Sequence, residues 1–300
     1  MKDFLVTVFV VIAIIVLFVV LGGTVTSLGN GFSLGNWYHK WSVAQPGGGT
    51  HLTIDLSNEK IWAPATQGLV GESPFRNKVN FDTSDHDPQH ESPHDEYLTI
   101  RSSVQNEGAI PLKGWSVESY VSKTRIPLPK GVLLYALGRK NAVVDPVLAP
   151  GEYAYIVSGN SPLENSFHTN SCTGQLATYA PFTPPLSGYC PAPSDIIPAT
   201  VQNLRIYGEQ CIEYIQSLAP CEVPGTNVPK DLLPLCRSLI QKELTYNNCI
   251  EREYKKYKFG VFNGGGWYLY LESPAEIWRN KYDVIRLLDA DGRVVDVLSY

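Results

Sequence analysis

The stretch that decides the fold is Ile285-Arg-Leu-Leu-Asp-Ala-Asp-Gly-Arg-Val-Val-Asp-Val-Leu-Ser-Tyr300. Two apolar runs, the second of them rich in β-branched residues, flank the pair Asp291-Gly292. Such a pair predicts a β-hairpin, because glycine tolerates the positive φ of a tight hairpin turn. We expect the last strand to complete a sheet made by the first strands of the domain, since a terminal strand paired into a sheet leaves no exposed edge or frayed end.

Short segments with strand character precede this hairpin, and turn signals separate them. Strands at this spacing favour a β-sandwich or a barrel, and 25 Gly and 22 Pro fit a chain with many turns. Gly114, Gly151 and Gly292 are expected to supply turn geometry, and Trp115 is expected to be a core residue. The strand-like segments are 96–104, 111–119, 122–127, 131–136, 148–159, 267–272 and 282–288.

Between the strands, from about residue 200, apolar residues follow helical spacing. One run covers residues 204–218, and a second covers residues 232–249 after a Pro-rich stretch. We interpret the two runs as an antiparallel helical hairpin, which gives the order strands, helical hairpin, strands.

All six cysteines lie in the second half of the chain, and no two form a Cys-x-x-Cys pair that would indicate a zinc ribbon. An even number in an exported chain predicts three disulfides. Cysteines ten residues apart on one helix lie about 15 Å apart, too far for a disulfide, so bonds between the two helices are expected. The expected pairs are Cys221–Cys236, Cys211–Cys249 and Cys172–Cys190.

The N-terminal segment predicts attachment to a membrane. Residues 4–21 are apolar except for Thr7, and a helix of this length, with the glycines that follow, spans about 30 Å. We interpret residues 1–22 as an uncleaved signal anchor that contacts membrane lipid through residues 4–22; a cleaved signal peptide is the alternative. Residues 23–74 are interpreted as an extracytoplasmic spacer, and the folded domain as residues 75–300. The expected location is the cell membrane, single-pass, with the C-terminal domain outside the cytoplasm.

Three histidines recur every four residues in the acidic stretch 84–95. His86, His90 and His94 would share one face of a helix, but Pro88 and Pro93 prevent that helix. A solvated acidic loop is therefore expected. The three histidines are the candidates for adventitious binding of Zn²⁺ or Ca²⁺, and neither a dedicated metal site nor a cofactor is expected.

The charge of the chain argues against a nucleic-acid binder. The net charge is −5, whereas such proteins normally present a basic face. The exception is Arg252–Lys258, which we interpret as a solvated helix end. Tyr254 and Tyr257 within it, and loop residues 179–190, are candidates for ligand contact because they mix aromatic and polar side chains.

The sequence contains no nucleophile elbow, no His-Glu-x-x-His zinc motif and no phosphate-binding loop. His168 is the one histidine outside the acidic stretch and the spacer, and it lies near Cys172 in sequence. A Cys–His nucleophilic pair is conceivable, but Cys172 is expected to be disulfide-bonded. We therefore expect no enzymatic activity.

Four segments together resemble the successive strands of a lamin-tail domain. They are Glu96-Tyr-Leu-Thr-Ile100, Ile110-Pro-Leu-Lys-Gly-Trp-Ser-Val117, Leu148-Ala-Pro-Gly-Glu-Tyr-Ala-Tyr-Ile-Val157 and the C-terminal hairpin. The resemblance covers residues 75–170 and 260–300 and leaves residues 171–258 as an inserted segment. It implies a mainly β, immunoglobulin-like β-sandwich that binds and scaffolds without catalytic residues.

These observations predict a membrane-anchored, extracytoplasmic binding and scaffolding protein. An unidentified surface protein or polysaccharide is the expected partner. The alternative is a module that binds nucleic acid or another anionic polymer beside a surface nuclease or hydrolase, as relatives of the lamin-tail family are sometimes fused to such enzymes.

Overall fold

Strands dominate the part of the chain that the structure describes. The computed structural model describes residues 73–225, 227–256 and 265–300. The predicted anchor, residues 1–22, lies outside these ranges. So do residues 257–264 and all of the predicted spacer, residues 23–74, except its last two residues. The strands are β1 Val79–Phe81, β2 Tyr97–Ser102, β3 Ile110–Pro111, β4 Ser116–Ser119, β5 Arg125–Pro127, β6 Gly131–Val132, β7 Val143–Val144, β8 Val147–Leu148, β9 Tyr153–Val157, β10 Ser166–His168, β11 Gly266–Tyr270, β12 Val284–Leu288 and β13 Val294–Ser299.

Helices occur between β10 and β11. They are a 3₁₀ helix Thr173–Thr178, α1 Pro193–Ile196, α2 Val201–Tyr207, α3 Glu209–Ser217, α4 Pro234–Glu243 and α5 Tyr246–Lys256. Within the described ranges, no helix combines the length and the apolar character that a membrane crossing requires.

The strands form three sheets. A seven-stranded sheet has the order β1-β2-β9-β11-β10-β6-β7, a four-stranded sheet has the order β13-β12-β4-β5, and β3 pairs with β8. The four-stranded sheet is antiparallel throughout. The larger sheet is mixed, because β9 pairs in parallel with β11 and β6 in parallel with β10. The prediction of a mainly β protein is confirmed.

Residues from all three sheets share one apolar core. Trp115, 1% exposed, lies in it as predicted and contacts the ring of Phe75 at a centroid distance of 5.2 Å. Burial of such a cluster supplies the main driving force of folding. Its other large members are Leu98, Ile100, Ile110, Leu112, Leu148, Ile156, Trp267, Leu269, Trp278, Ile285, Leu287 and Leu298.

The C-terminal hairpin has the predicted form. β12 and β13 are antiparallel, with Ile285 opposite Leu298. Gly292 has φ +78°. The 2%-exposed Asp289 orders the turn, because its Oδ1 accepts hydrogen bonds from the backbone N–H groups of Asp291 at 3.0 Å and Arg293 at 2.9 Å. Asp side chains stabilise turns by bonding to backbone groups two residues on.

The pairing predicted for the last strand is wrong. β13 ends the four-stranded sheet, whereas β1 and β2 belong to the seven-stranded sheet. The reason is that β12 pairs with β4 on its other side, which leaves β13 outermost. β13 still meets β1, because the backbone N–H of Phe81 donates to Asp296 Oδ2 at 2.7 Å.

The predicted long helix over residues 204–218 is divided in two. Gly208, with φ +85°, ends α2 and precedes α3. Only glycine adopts such a conformation at low cost, so the apolar spacing continues across a break in the helix. The second run is also divided, between α4 and α5. The helical character is confirmed, and the single hairpin of two continuous helices is wrong.

All six cysteines are disulfide-bonded, as predicted, but every predicted pair is wrong. The bonds join Cys172 to Cys249, Cys190 to Cys221 and Cys211 to Cys236, with Cα–Cα distances of 5.9, 5.0 and 5.8 Å. The broken helices explain the error. α5 does not continue α4, so Cys249 lies beside the 3₁₀ helix that follows Cys172, and not beside α3.

A second apolar cluster lies between the seven-stranded sheet and the segment inserted between β10 and β11. It contains strand residues such as Phe167 and Tyr268 together with Leu176, Tyr246 and Ile250 of the insertion. The rings of Phe167 and Tyr268 stack at 5.3 Å with an interplanar angle of 2°. A third cluster lies among α3, α4 and their loops. The insertion is thus packed on the sheet through its 3₁₀ helix and α5.

Candidate binding cavity

An open cavity of about 700 Å³ lies at the start of β9, beside β7, β8, β10 and β11. Aliphatic side chains form much of its wall: Leu133, Val144, Val147, Ala149 and Pro150. Its polar side chains are Asp145, Glu152 and His168. Clefts with mostly apolar walls and a few polar groups are typical of binding sites.

The turn between β8 and β9 positions Glu152. Pro150 and Gly151 form this turn, and Gly151 has the positive φ, +81°, that its prediction as a turn residue requires. The backbone N–H of Glu152 donates to the carbonyl of Ala149 at 3.0 Å. In return, Ala149 N–H donates to Glu152 Oε2 at 2.7 Å. The carboxylate is thereby folded back onto its own turn and held at the cavity.

His168, at the end of β10, reaches this carboxylate. Its Nε2 lies 2.5 Å from Glu152 Oε1, and the imidazole is 3% exposed. The contact assigns the Nε2 proton to a hydrogen bond with the carboxylate. Nδ1 has no hydrogen-bond partner among the described residues. The edge of the ring meets Trp267 at a centroid distance of 4.9 Å, so the imidazole is fixed on two sides.

The contact crosses the start of β11, which lies between β9 and β10 in the sheet. Gly265 and Gly266 occupy this crossing. A Cβ atom at Gly266 would lie 2.4 Å from the carbonyl oxygen of Tyr153, closer than real Cβ atoms approach. The absence of a side chain at Gly266 lets β9 and β11 pack closely.

Trp267 forms part of the cavity wall, and its polar atom is committed elsewhere. The indole Nε1–H donates to the carbonyl of Val147 at 2.9 Å. Trp267 on β11 also lies opposite His168 on β10, so it connects the cavity wall to the Glu152–His168 pair. The aliphatic rim is unusually accessible, with exposed fractions of 47% for Leu133, 38% for Val144 and 40% for Val147.

The described residues that line the cavity include no Ser, Thr, Cys, Lys or Tyr that His168 could activate as a nucleophile. Cys172, the conceivable partner from the sequence, is 0% exposed and bonded to Cys249.

The predicted acidic loop is anchored to the sheet. Asp85 Oδ1 accepts a hydrogen bond from the hydroxyl of Tyr97 at 3.0 Å, and its Oδ2 accepts one from Tyr155 at 2.9 Å. Asp87 pairs with Tyr97 as an isolated β-bridge. Burial first, and then the bond to Asp85, raise the pKa of Tyr97 to about 12. The expectation of a solvated loop is therefore wrong for its first residues.

The three histidines of this loop do not converge on a metal site. In the part of the chain that the structure describes, no group of three or more His, Cys, Asp or Glu side chains is placed to hold a metal ion. His94 instead packs against Gly159, where an added Cβ would lie 2.7 Å from its Nδ1. His86 is half-buried, and His90 Nδ1 accepts a hydrogen bond from the backbone of Ser92 at 3.1 Å.

The aromatic candidates that the structure describes are not part of the cavity lining. Tyr254 is half-buried and packs against the second apolar cluster, and Tyr257 lies outside the described residues. In the loop 179–190, Tyr189 is 90% exposed, whereas Phe182 is 8% exposed. The hydroxyl of Tyr268 donates to the carbonyl of Pro184 at 3.1 Å, so the sheet holds the middle of this loop.

Glu152 is the functional residue that the sequence did not reveal. Its motif was recognised as a turn leading into a strand, and His168 was recognised as an isolated histidine. Sixteen residues separate the two in the chain. Their contact depends on the strand order β9-β11-β10, which no local signal encodes.

Comparisons of the chain with protein-family models, curated proteins and solved structures found no match. The resemblance to lamin-tail domains therefore stays a prediction.

Proposed function

We propose that this chain is a membrane-anchored, extracytoplasmic binding and scaffolding protein without catalytic activity. Residues 1–22 would anchor it, residues 23–74 would hold it away from the lipid, and residues 75–300 would present an immunoglobulin-like β-sandwich of the lamin-tail type. Two sheets that share one apolar core, and a hairpin with an Asp-x-Asp-Gly turn, support the fold.

The observation that carries the binding role is the cavity. It offers fixed hydrogen-bond acceptors and accessible aliphatic side chains. The three disulfides support the location, because such bonds form and persist in oxidising compartments. A surface protein is our preferred partner over a polysaccharide, since the exposed rim is aliphatic and not aromatic.

No observation favours the alternative of a nucleic-acid or anionic-polymer binder. The described basic residues of the stretch from Arg252 to Lys258 face acidic ones. Lys255 Nζ lies 2.6 Å from Glu251, and Arg252 Nη1 lies 3.9 Å from Glu243. Cations that are already paired offer little attraction to a phosphate backbone.

The location is tested by alkylating the full-length protein from its native membrane fraction under denaturing, non-reducing conditions and measuring its intact mass. We expect no alkylated cysteine before reduction and six afterwards. A Cys172→Ser variant is the matched control, because it should show the single alkylated thiol of Cys249. Six alkylated cysteines without reduction would place the domain in a reducing compartment and overturn the proposal.

The anchor is tested separately. The full chain should stay in the membrane pellet after alkaline extraction, and a variant without residues 1–22 should not. Release of the full chain by alkaline extraction would contradict the anchor.

A further inference from the structure

We infer that the cavity binds a basic side chain of a partner protein, with its cationic head at Glu152 and its aliphatic stem along the rim. This inference deepens the proposed binding function and rests on it for its biological meaning.

The polar side chains at the cavity are acceptors with spare capacity. Each carboxylate oxygen of Glu152 accepts one hydrogen bond within the protein, and a carboxylate oxygen has room for about two. Asp145 adds a second carboxylate, half-exposed and 3.8 Å from Lys130 Nζ. His168 Nδ1, itself buried beside the cavity, has no hydrogen-bond partner among the described residues.

The side-chain donors of the lining are already used. The imidazole Nε2 is committed to Glu152, and the indole Nε1 of Trp267 is committed to the carbonyl of Val147. A ligand that brings only acceptors would find no unused side-chain donor among the described lining residues and would meet the carboxylates of Glu152 and Asp145, the second of which has Lys130 Nζ 3.8 Å away. A ligand that brings donors and a positive charge matches both the hydrogen bonding and the charge.

The rim selects a ligand that also has an apolar portion. Leu133, Val144 and Val147 are each more than one-third exposed beside the carboxylates. Contact with methylene groups removes this apolar surface from water. Lysine and arginine combine an aliphatic stem with a charged head, and they commonly lay the stem on apolar surface while the head meets a polar partner.

The position of the cavity favours a polypeptide over a small free cation. Val144 belongs to β7, which is the terminal strand of the seven-stranded sheet in the described part of the chain. A terminal strand offers backbone groups to an extended segment of another chain, next to pockets that receive its side chains. A metal ion is a poorer match, because the described residues include no cluster of three metal-ligating side chains.

The inference is tested by NMR on the full-length protein in nanodiscs. The signals of the Trp267 indole and the His168 ring are followed while n-butylammonium or n-butylguanidinium is added. We expect saturable shifts with either cation, and none with butyrate at equal concentration, because butyrate has a comparable short aliphatic chain but the opposite charge. A peptide with one central lysine in an extended apolar sequence should bind more tightly than n-butylammonium.

Variants separate the cavity from general electrostatics. Glu152→Gln should weaken cation binding about tenfold, a loss of about 1.4 kcal/mol, because the amide carries no charge to attract the cation. Asp145→Asn and Leu133→Asn, at side chains that are 33% and 47% exposed, should each weaken it severalfold. Glu213→Gln is the matched control: it removes the same charge from an exposed site on α3 and should change nothing.

Equal affinity in Glu152→Gln, Asp145→Asn and the control would overturn the inference. So would binding of butyrate, or a free polyamine that binds more tightly than the lysine peptide. Saturable Zn²⁺ binding without binding of either organic cation would instead make the cavity a metal site. The alkylation experiment has a different readout, so bonded cysteines with no cation binding would reject this inference and leave the proposed location standing.

Discussion

The sheets and the cysteine-rich insertion are stabilised in different ways. The core shared by the sheets contains Trp115, Trp267 and Trp278, each 1–2% exposed, and no cysteine. The insertion has short helices, and α2 buries none of its seven residues. All three disulfides lie in the insertion or join its ends. Small helical units that cannot bury enough apolar surface are commonly held by covalent cross-links.

The comparison predicts that the largest loss of stability follows from a change in the shared core. Trp115→Ala should lower the free energy of unfolding by about 3–5 kcal/mol, because the cavity left by the indole cannot be refilled. Urea denaturation under non-reducing conditions would measure the change. Leu235→Ala, in α4 and 62% exposed, is the control and should cost no more than about 0.5 kcal/mol. Similar losses of stability in both variants would contradict the conclusion that burial in the shared core stabilises the sheets.

The next largest effect should come from the disulfide Cys172–Cys249, which joins the beginning of the insertion to α5. Removing it with Cys172→Ala and Cys249→Ala should cost about 2–5 kcal/mol. Hydrogen exchange should accelerate in α5 and in the 3₁₀ helix, whereas the amides of the β12–β13 hairpin should stay protected. Equal acceleration in the hairpin would show that the two regions unfold as one unit.

The three disulfides should also differ in how easily they are reduced. Cys190 and Cys221 are half-buried, whereas the other four cysteines are 0–1% exposed. Since thiol–disulfide exchange requires access to a sulfur atom, a limiting amount of reductant should open Cys190–Cys221 first. Peptide mapping after alkylation would identify the reduced pair. Simultaneous loss of all three bonds would contradict the distinction between the accessible bond and the two buried ones.

The contrast between sheets and insertion is also a contrast between local and long-range structure, and the features that the sequence predicted are the local ones. The hairpin turn is local: Asp289 and Gly292 determine it through hydrogen bonds and φ angles within five residues. Trp115 and its preceding turn glycine are recognisable for the same reason. Strand existence was therefore predictable from pattern and turn chemistry.

Features that depend on long-range order were not predictable. The disulfide pairs were assigned on the premise of two continuous helices, and the break at Gly208 and the change of direction after α4 invalidate that premise. The contact of Glu152 with His168 needs the order β9-β11-β10, which places a strand more than 90 residues later between two earlier ones. Even the hairpin, correct in itself, was assigned to the wrong sheet.

The segment 84–95 adds a third kind of attachment to this comparison, because side-chain hydrogen bonds tie it to the sheet and to the insertion. Asp85 accepts from Tyr97 and Tyr155, and Asp95 Oδ1 accepts from Thr183 Oγ1 of the insertion at 2.8 Å. Attachments of this type respond to pH, whereas the disulfides do not titrate.

The smallest expected effect is therefore a change in alkaline behaviour after Asp85→Asn. Tyr97 has a folded-state pKa raised to about 12 by burial and then by the bond to Asp85. Between its ordinary value near 10 and that value, the folded state binds more protons than the unfolded state. The stability that this tyrosine contributes is thus complete below about pH 10 and is lost as the pH rises through about 12.

Asp85→Asn removes a negative charge beside the phenol, so the pKa of Tyr97 should fall toward its ordinary value and the loss of stability should begin at lower pH. Ring-carbon NMR of Tyr97 gives its titration directly, and urea denaturation between pH 9 and pH 12 gives the stability. Asp195→Asn, in α1, is the charge-matched control and should leave the Tyr97 titration unchanged. An unaltered Tyr97 titration in Asp85→Asn would mean that burial alone raises the pKa and that Asp85 does not anchor the segment.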